Sequence, residues 1–305
     1  MLHIYSSALQ GLTEFAWRNA HSKIFGHIDK YYAPFMRIEH GKFRNKDLRE
    51  ISHDNNDTDD LVPQIIATNA SDSQMMVERI LQEGYKDIDI NFGCPFPPIC
   101  KHGQGAGMMN MPDKMAETLK ALEQYRNDCV FSIKCRLGIN DADGWKVALP
   151  IFNAFRPVHL AVHPRTAKQQ YSGDLDMESF DAIYHAAEMP LVYNGNIMAA
   201  NDIDDIERRY PKLDGVMIGR GLMYNPAIAR EHAGGKGFSL EEYLRLMAIV
   251  ANHFENTLCG DAHTLAKIKP YWEYAPECID RKILKAIKKS TSMIKYHSAV
   301  QNIQI

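Results

Sequence analysis

Eight short apolar runs of strand character recur along about the first 220 residues, separated by amphipathic stretches of helical spacing. This alternation constrains the fold more than any other feature. The strand-like runs fall at 2–7, 32–37, 62–67, 86–92, 130–136, 158–163, 190–193 and 215–218, with helical spacing at 72–83, 112–125, 178–187 and 199–208. Strands joined by crossover helices pair in parallel, and eight such units close into a (β/α)8 barrel. At 305 residues the chain is long enough for a barrel of roughly 250 residues with an appendage. A doubly wound open sheet is the competing architecture, but no Gly-x-Gly-x-x-Gly follows the first strand. Residues 38–60 are polar and rich in Asp and Asn, and they are expected to form a loop or a poorly ordered excursion. The acidic part, 52–60, reads as a mobile surface loop.

After Pro226 the rhythm changes. Gly234-Gly235-Lys236-Gly237 marks a linker, and Ser239 followed by Glu241 and Glu242 has the signature of a helix start. Only helical spacing follows, so the chain divides into a TIM barrel over 1–232 and a small helical domain over 238–305. The net charge of −3 exerts no global pull on nucleic acid, so any such binding needs a local patch. One candidate exists: a long helix from Asp280 to about Val300, carrying Arg281, Lys282, Lys285, Lys288, Lys289 and Lys295 with no acid after Asp280. Such a row is ordinarily a solvated face; the alternative is a phosphate-contacting surface.

A hydrophobic content of 45% beside 24% charged residues is that of a soluble globular protein. The six cysteines (94, 100, 129, 135, 259 and 278) show no framework of regular spacings, which argues for reduced thiols in a cytoplasmic setting. No Cys-x-x-Cys pair occurs, so no structural zinc or other metal site is expected. The first residues read as a strand, without a basic segment or long apolar run, so neither a signal peptide nor a membrane span is expected.

The chemistry gathers at predicted strand ends, the catalytic edge of such a barrel. The run 86–92 alternates Ile88 and Ile90 with Asp87, Asp89 and Asn91, then stops at Gly93, placing Cys94 just past a strand end. A lone cysteine is more often a small buried hydrophobe. Here its position among Asn91, Gly93, Pro95 and the glycine-rich loop Gly103–Gly107 favours a functional thiol. Gln64, Lys134 with Arg136, His163 with Arg165, Asn194 with Asn196, and Arg220 take equivalent places on neighbouring strands. A strand lysine alone is usually an edge or snorkelling residue, but packing does not account for polar residues at successive strand ends. Loops after the seventh and eighth strands form the phosphate site of this fold. Gly195, Gly219 and Gly221 let backbone N–H groups approach a phosphate, and Arg220 adds charge. A phosphorylated cofactor across the mouth would place its ring near Lys134 and Gln64. FMN fits that description, because a lysine there would stabilise the charge its ring acquires on reduction.

Taken together these stretches resemble the tRNA-dihydrouridine synthases, flavoenzymes that reduce particular uridines of transfer RNA. Asn91-Phe92-Gly93-Cys94-Pro95 matches the family's Asn-x-Gly-Cys-Pro motif, and Gly103-Gln104-Gly105-Ala106-Gly107 stands for its glycine-rich loop. The stretch from Ser132 to Gly138 is similar to its strand-five motif. His163-Pro164-Arg165-Thr166 with Tyr171 and Gly173 is similar to its His-x-Arg-Thr…Tyr-x-Gly pattern. Asn194-Gly195-Asn196-Ile197 and Met217–Gly221 resemble its two phosphate loops. Two departures stand out: Ser7-Ala8-Leu9-Gln10-Gly11 replaces the family's Ala-Pro-Met-x-Gly, and Asn196 replaces an acidic residue. The resemblance implies FMN contacts from Ala8, Leu9, Gln10, Gln64, Lys134, His163, Asn194, Gly195, Asn196, Gly219 and Arg220, those of Ala8, Leu9 and Gln10 partly through backbone. It implies NADPH or NADH as reductant, and Cys94, rather than Cys100, as proton donor to the pyrimidine. Asn91, Arg136, Arg165 and Tyr171 are then expected to orient or stack the uracil, with Lys285, Lys288 and Lys289 contacting tRNA. No protein partner is implied.

Three rivals remain at this level. A dihydroorotate dehydrogenase-like FMN barrel would act on a free pyrimidine. A Schiff-base aldolase would use Lys134 as nucleophile. A non-catalytic RNA-binding protein would need no thiol.

Overall fold

The predicted strands close into one parallel ring, in a computed structural model that describes residues 2–57 and 60–304. The strands are β1 (His3–Ser6), β2 (Lys30–Tyr32), β3 (Ile38–Glu39), β4 (Lys42–Phe43), β5 (Leu61–Val62) and β6 (Gln64–Ile66), followed by β7 (Asp87–Phe92), β8 (Val130–Arg136), β9 (Leu160–His163), β10 (Leu191–Tyr193) and β11 (Gly215–Ile218). Their order is β5-β2-β1-β11-β10-β9-β8-β7-β6, with β3 and β4 apart as a small antiparallel hairpin. β5 and β6 are one strand interrupted at Pro63, which has no N–H to give a ladder. Its carbonyl still accepts the Asp89 N–H at 3.0 Å. Because β5 pairs with β2 and β6 with β7, this split stave joins the two ends and the ring has eight staves.

Period-two alternation decides what faces where. Ile88, Ile90 and Phe92 of β7 pack outward into the large core under the helices, as do Phe131, Ile133 and Cys135 of β8. Tyr5, Tyr32, Val62, Ala161, Val192 and Met217 form a separate apolar cluster inside the barrel. Asp89, Gln64 and Ser132 share that interior as a buried polar group.

Three expectations are corrected. The second strand ends at Tyr32 rather than spanning 32–37; Pro34 interrupts it, and Met36 returns only as a single bridge to Ile65. Residues 38–60 are not a loop. They form the β3–β4 hairpin, a helix at Asn45–Ile51 and a single turn at His53–Asn55, while Thr58 and Asp59 lie outside the described residues. The organising group is Arg18, fully buried in the helix Phe15–Ile24. Its guanidinium donates to Glu50 Oε2 (2.9 Å), Glu50 O (2.8 Å), Asn56 Oδ1 (2.7 Å) and Thr13 O (2.7 Å). The last helix is also two, Arg281–Lys289 and Met293–Gln301. Ser292 breaks it by capping the second with its own hydroxyl, accepting the Lys295 N–H.

Ser239 caps the helix Leu240–Thr257 through the Glu242 N–H, as its sequence predicts. That helix packs on Phe15–Ile24, and Tyr271 donates its hydroxyl to Leu12 O (2.5 Å), so the C-terminal helices rest against the barrel beside its first strand. Among the described residues no helix is long and apolar enough to cross a membrane.

Candidate active site

The carboxyl ends of the strands enclose a cavity of about 360 Å³. Its walls carry Lys134, Arg136 and Arg220, the neutral polar groups Ser7, Gln10, Asn91, His163, Asn194 and Asn196, and, among the described residues, no carboxylate. A cavity with this charge selects an anionic ligand. Its field appears in the groups it contains. His163 is buried and held well below its ordinary pKa, first by burial and then by Arg136, Lys134 and Arg165. The imidazole is therefore neutral. Its Nε2 accepts from Arg165 Nη1 at 3.2 Å, which puts its proton on Nδ1. Lys134 is lowered to about 8 by burial and by Arg136, with Asp89 opposing the shift.

Cys94 lines this cavity, and its setting explains its state. Asn91 Oδ1 accepts two backbone N–H groups, from Gly93 (2.9 Å) and Cys94 (2.8 Å), which turns the chain sharply after β7. Asn91 Nδ2 donates to Gln64 Oε1 (2.8 Å), Gln64 Nε2 to Asp89 Oδ2 (2.6 Å), and Ser132 Oγ to Asp89 Oδ1 (2.6 Å). A buried hydrogen-bond chain thus runs from the barrel interior to the cysteine turn. Burial pushes the Cys94 thiol above its ordinary pKa, so at neutral pH it carries its proton. Cys100 is outside the cavity lining, and its Sγ points at Cys94 O (3.3 Å).

Gly221 fixes how closely the two phosphate-type loops meet: a Cβ there would lie 2.0 Å from Ile197 O. Asn196 Oδ1 joins Arg165 Nη1 and Arg220 Nη2, each at 3.2 Å, so the asparagine acts through its side chain as well as its backbone. Arg220 also lies 4.5 Å over the Tyr171 ring, with Arg136 at 5.6 Å.

Ala8, Leu9, Gln10, Lys134, His163, Asn194, Gly195, Asn196, Gly219 and Arg220 all line the cavity, as do Asn91, Arg136 and Tyr171. Two placements differ from expectation, and one backbone N–H is already taken. Gln64 is wholly buried behind Asn91, where it positions that side chain rather than lining the cavity. Arg165 is likewise behind the wall, spent on Gly173 O (2.7 Å), His163 and Asn196. The Leu9 N–H is taken by Thr13 Oγ1 (2.8 Å), leaving it no free donor for a ligand. Lys285 and Lys289 are exposed on the helix Arg281–Lys289, away from the cavity, and Lys288 pairs with Glu273 (2.6 Å). Sequence reasoning missed Phe35, Phe96, Met198 and Tyr274, which complete the walls. Tyr274 arrives from the C-terminal helices, a contact no local pattern announces.

A parallel barrel that collects cations and close-approach glycine loops at its strand ends is an α/β barrel with a cationic mouth. Comparison with known proteins makes this particular: the chain belongs to the dihydrouridine synthase (Dus) family, whose model matches residues 7–272. It is 32% identical over 183 residues to a probable tRNA-dihydrouridine synthase of Staphylococcus aureus, covering 58% of this chain and 55% of that one. It is 30% identical over 178 residues to one of Helicobacter pylori, covering 56% and 52%. The matched region is thus about half the length of these curated relatives. In fold, it resembles the old yellow enzyme of Trypanosoma cruzi (TM-score 0.55, 9% identity, 79% of this chain and 91% of that) and a morphinone reductase (TM-score 0.54, 10% identity, 79% and 88%).

Proposed function

We propose that the protein is a cytoplasmic, FMN-dependent tRNA-dihydrouridine synthase that uses NADPH or NADH as reductant. The observation that carries this reading is the Cys94 thiol on the wall of a cationic cavity that, among the described residues, bears no carboxylate. The residues present fit FMN. Among the described residues no protein acceptor takes the backbone N–H groups of Gly195, Asn196, Gly219 or Arg220. With Arg220 beside them they suit a phosphate, while Lys134 suits the anionic edge of a reduced ring. When bound, FMN supplies the hydride that saturates C6 of a uracil.

The chain's own part is the proton. Cys94 gives the C5 proton as a general acid, a role suited to a thiol that burial keeps protonated. Asn91 holds that thiol in place through the turn. Arg136 is anchored by Gly93 O (3.0 Å), Thr166 O (3.0 Å) and Gln170 O (2.7 Å), and presents a rigid cation to the uracil or an adjacent phosphate. Tyr171, flanked by two guanidiniums, stacks on the base. The uridine must leave its own stack to enter, as enzymes acting on a base require.

The helix Arg281–Lys289 serves the rest of the tRNA. With Lys288 tied to Glu273, the exposed cations of this helix are Arg281, Lys282, Lys285 and Lys289. Changing Lys285, Lys288 and Lys289 to Glu should weaken tRNA binding and flatten its salt dependence while leaving flavin content unchanged. The deciding experiment incubates the purified yellow protein with NADPH and either unmodified tRNA or free pyrimidines. Dihydrouridine in tRNA, detected by mass and reduced about 100- to 10,000-fold in rate by Cys94→Ala, supports the reading. A colourless protein, or turnover of the free base alone, removes it.

A further inference from the structure

Among the described residues only three aromatic side chains are strongly exposed: Phe96 (57%), Tyr171 (45%) and Tyr224 (38%). All three stand at the barrel mouth. Phe96 and Tyr171 line the cavity, while Tyr224 lines a second groove that shares Met198 and Arg220 with it as a common wall. Scattered exposed apolar groups need no explanation; the three most exposed aromatic side chains of the described residues gathered around one opening do.

The three differ in what covers them. Tyr171 already has guanidiniums over it. Phe96 lies between Pro95 and Pro97 in extended backbone (φ −62°, ψ 119°), a conformation the following proline favours, so its ring is presented with little entropy left to lose. Tyr224 meets Tyr274 edge to face at 5.1 Å and 70°, which braces it without hiding it.

We infer that Phe96 and Tyr224 stack the two bases that flank the target uridine, one on each side of the mouth. The inference rests on the proposed reading that a uridine of tRNA is the substrate. A swung-out nucleotide leaves both neighbours without a stacking partner, and an aromatic face replaces it whatever the neighbouring base is. Met198 and Arg220 form the wall common to cavity and groove, so a strand leaving the cavity reaches Tyr224 directly across that wall. The flanking platforms are thus apolar and sequence-tolerant.

The test measures tRNA affinity of the flavin-loaded protein by filter binding at several salt concentrations. Phe96→Ala and Tyr224→Ala should each weaken binding roughly tenfold or more, with Phe96→Trp and Tyr224→Trp near wild type. The slope of affinity against salt should be unchanged in the alanine variants, since no phosphate contact is lost. Val147→Ala, at a comparably exposed position (51%) on the helix Gly144–Phe155, sets the baseline. Alanine variants that bind tRNA like wild type, while the wild type forms dihydrouridine, overturn the stacking assignment and leave the activity standing. A Tyr224→Ala variant with raised KM for NADPH and intact tRNA affinity also overturns it, assigning the groove to the dinucleotide. A wild-type protein that neither binds nor reduces tRNA removes both readings.

Discussion

The side-chain oxygen of Asn91 accepts the Cys94 N–H at 2.8 Å, so the penultimate residue of β7 also holds the turn that carries the thiol three positions on. The same oxygen takes the Gly93 N–H, and the amide nitrogen is held by Gln64. In the proposed reaction Asn91 therefore acts through the Cys94 turn rather than on the substrate. Asn91→Ala leaves two backbone donors and the Gln64 carbonyl without partners, at roughly 1–3 kcal/mol for each group that stays buried. The expected outcome is a lower melting temperature together with a loss in single-turnover rate larger than any change in tRNA affinity. A variant that loses stability but keeps its single-turnover rate would show that the turn does not govern the thiol.

In the proposed reaction two groups, Cys94 and Lys134, would set the pH response, both acting in their protonated forms. Cys94 lies above its ordinary value of 9.0 and stays protonated through the neutral range. Lys134, lowered to about 8, is the first to lose its proton as pH rises. Activity should therefore hold near neutrality and fall above about pH 8, and Lys134→Arg should carry that descending limb to higher pH. Stability moves the other way. Between about 8 and the ordinary 10.5, the unfolded chain keeps a lysine proton that the ligand-free folded chain has released, so this group's contribution to stability rises with pH. Lys134→Met should be more stable than wild type at pH 7, with the gap closing toward pH 10 in urea titrations of the flavin-free protein.

What was legible in the sequence follows from what a strand's neighbours demand. β8 and β11 fall at the predicted residues: β11 is a continuous apolar run covered on both faces, and β8 alternates Phe131, Ile133 and Cys135, packed under the helices, with Ser132, Lys134 and Arg136 on the barrel side. Position along a strand was readable, but depth was not. Gln64 faces inward as its alternation requires, yet Asn91 stands between it and the cavity. Residues 38–60 were misread because their acids look unpaired in sequence. Their partners are Arg18, contributed from the preceding helix, and Arg44, which pairs with Asp47 at 2.7 Å within the segment itself.

Gly221 allows a test of the phosphate loops that does not touch any charge. A methyl group there would sit 2.0 Å from Ile197 O and 3.0 Å from Ile218 Cγ2, and one of these is backbone that cannot swing aside. The loops after β10 and β11 must then separate. Overpacking of this kind costs about 1–3 kcal/mol, and its expected expression is about tenfold or weaker FMN retention, read from visible absorbance. Far-ultraviolet circular dichroism should change little, since the displaced segments are the loop at Ile197 and the single-turn helix Arg220–Tyr224.

Arg18 and Glu50 test whether the 38–60 excursion is held by charge alone. Both are buried; the pair is 2.9 Å apart, and Glu50 also accepts the Phe15 N–H at 2.9 Å. Burial pulls each toward its neutral form, raising Glu50 and lowering Arg18, and each partner opposes the other's shift. Arg18→Met removes the cation and strands a buried carboxylate, a loss of about 3–5 kcal/mol. It also removes the donor to Asn56 Oδ1 and Thr13 O, while the Glu50 carbonyl keeps the Asn56 Nδ2 donor at 3.1 Å. Arg18→Met with Glu50→Leu removes both desolvated charges and should recover much of that loss in chemical denaturation. Hydrogen exchange should separate global from local effects: in the double variant the helix Asn45–Ile51 exchanges faster than in wild type, because Ile51 still anchors it in the core while its tie to Phe15–Ile24 is gone. Equal exchange in the two proteins would mean that apolar packing alone holds the excursion.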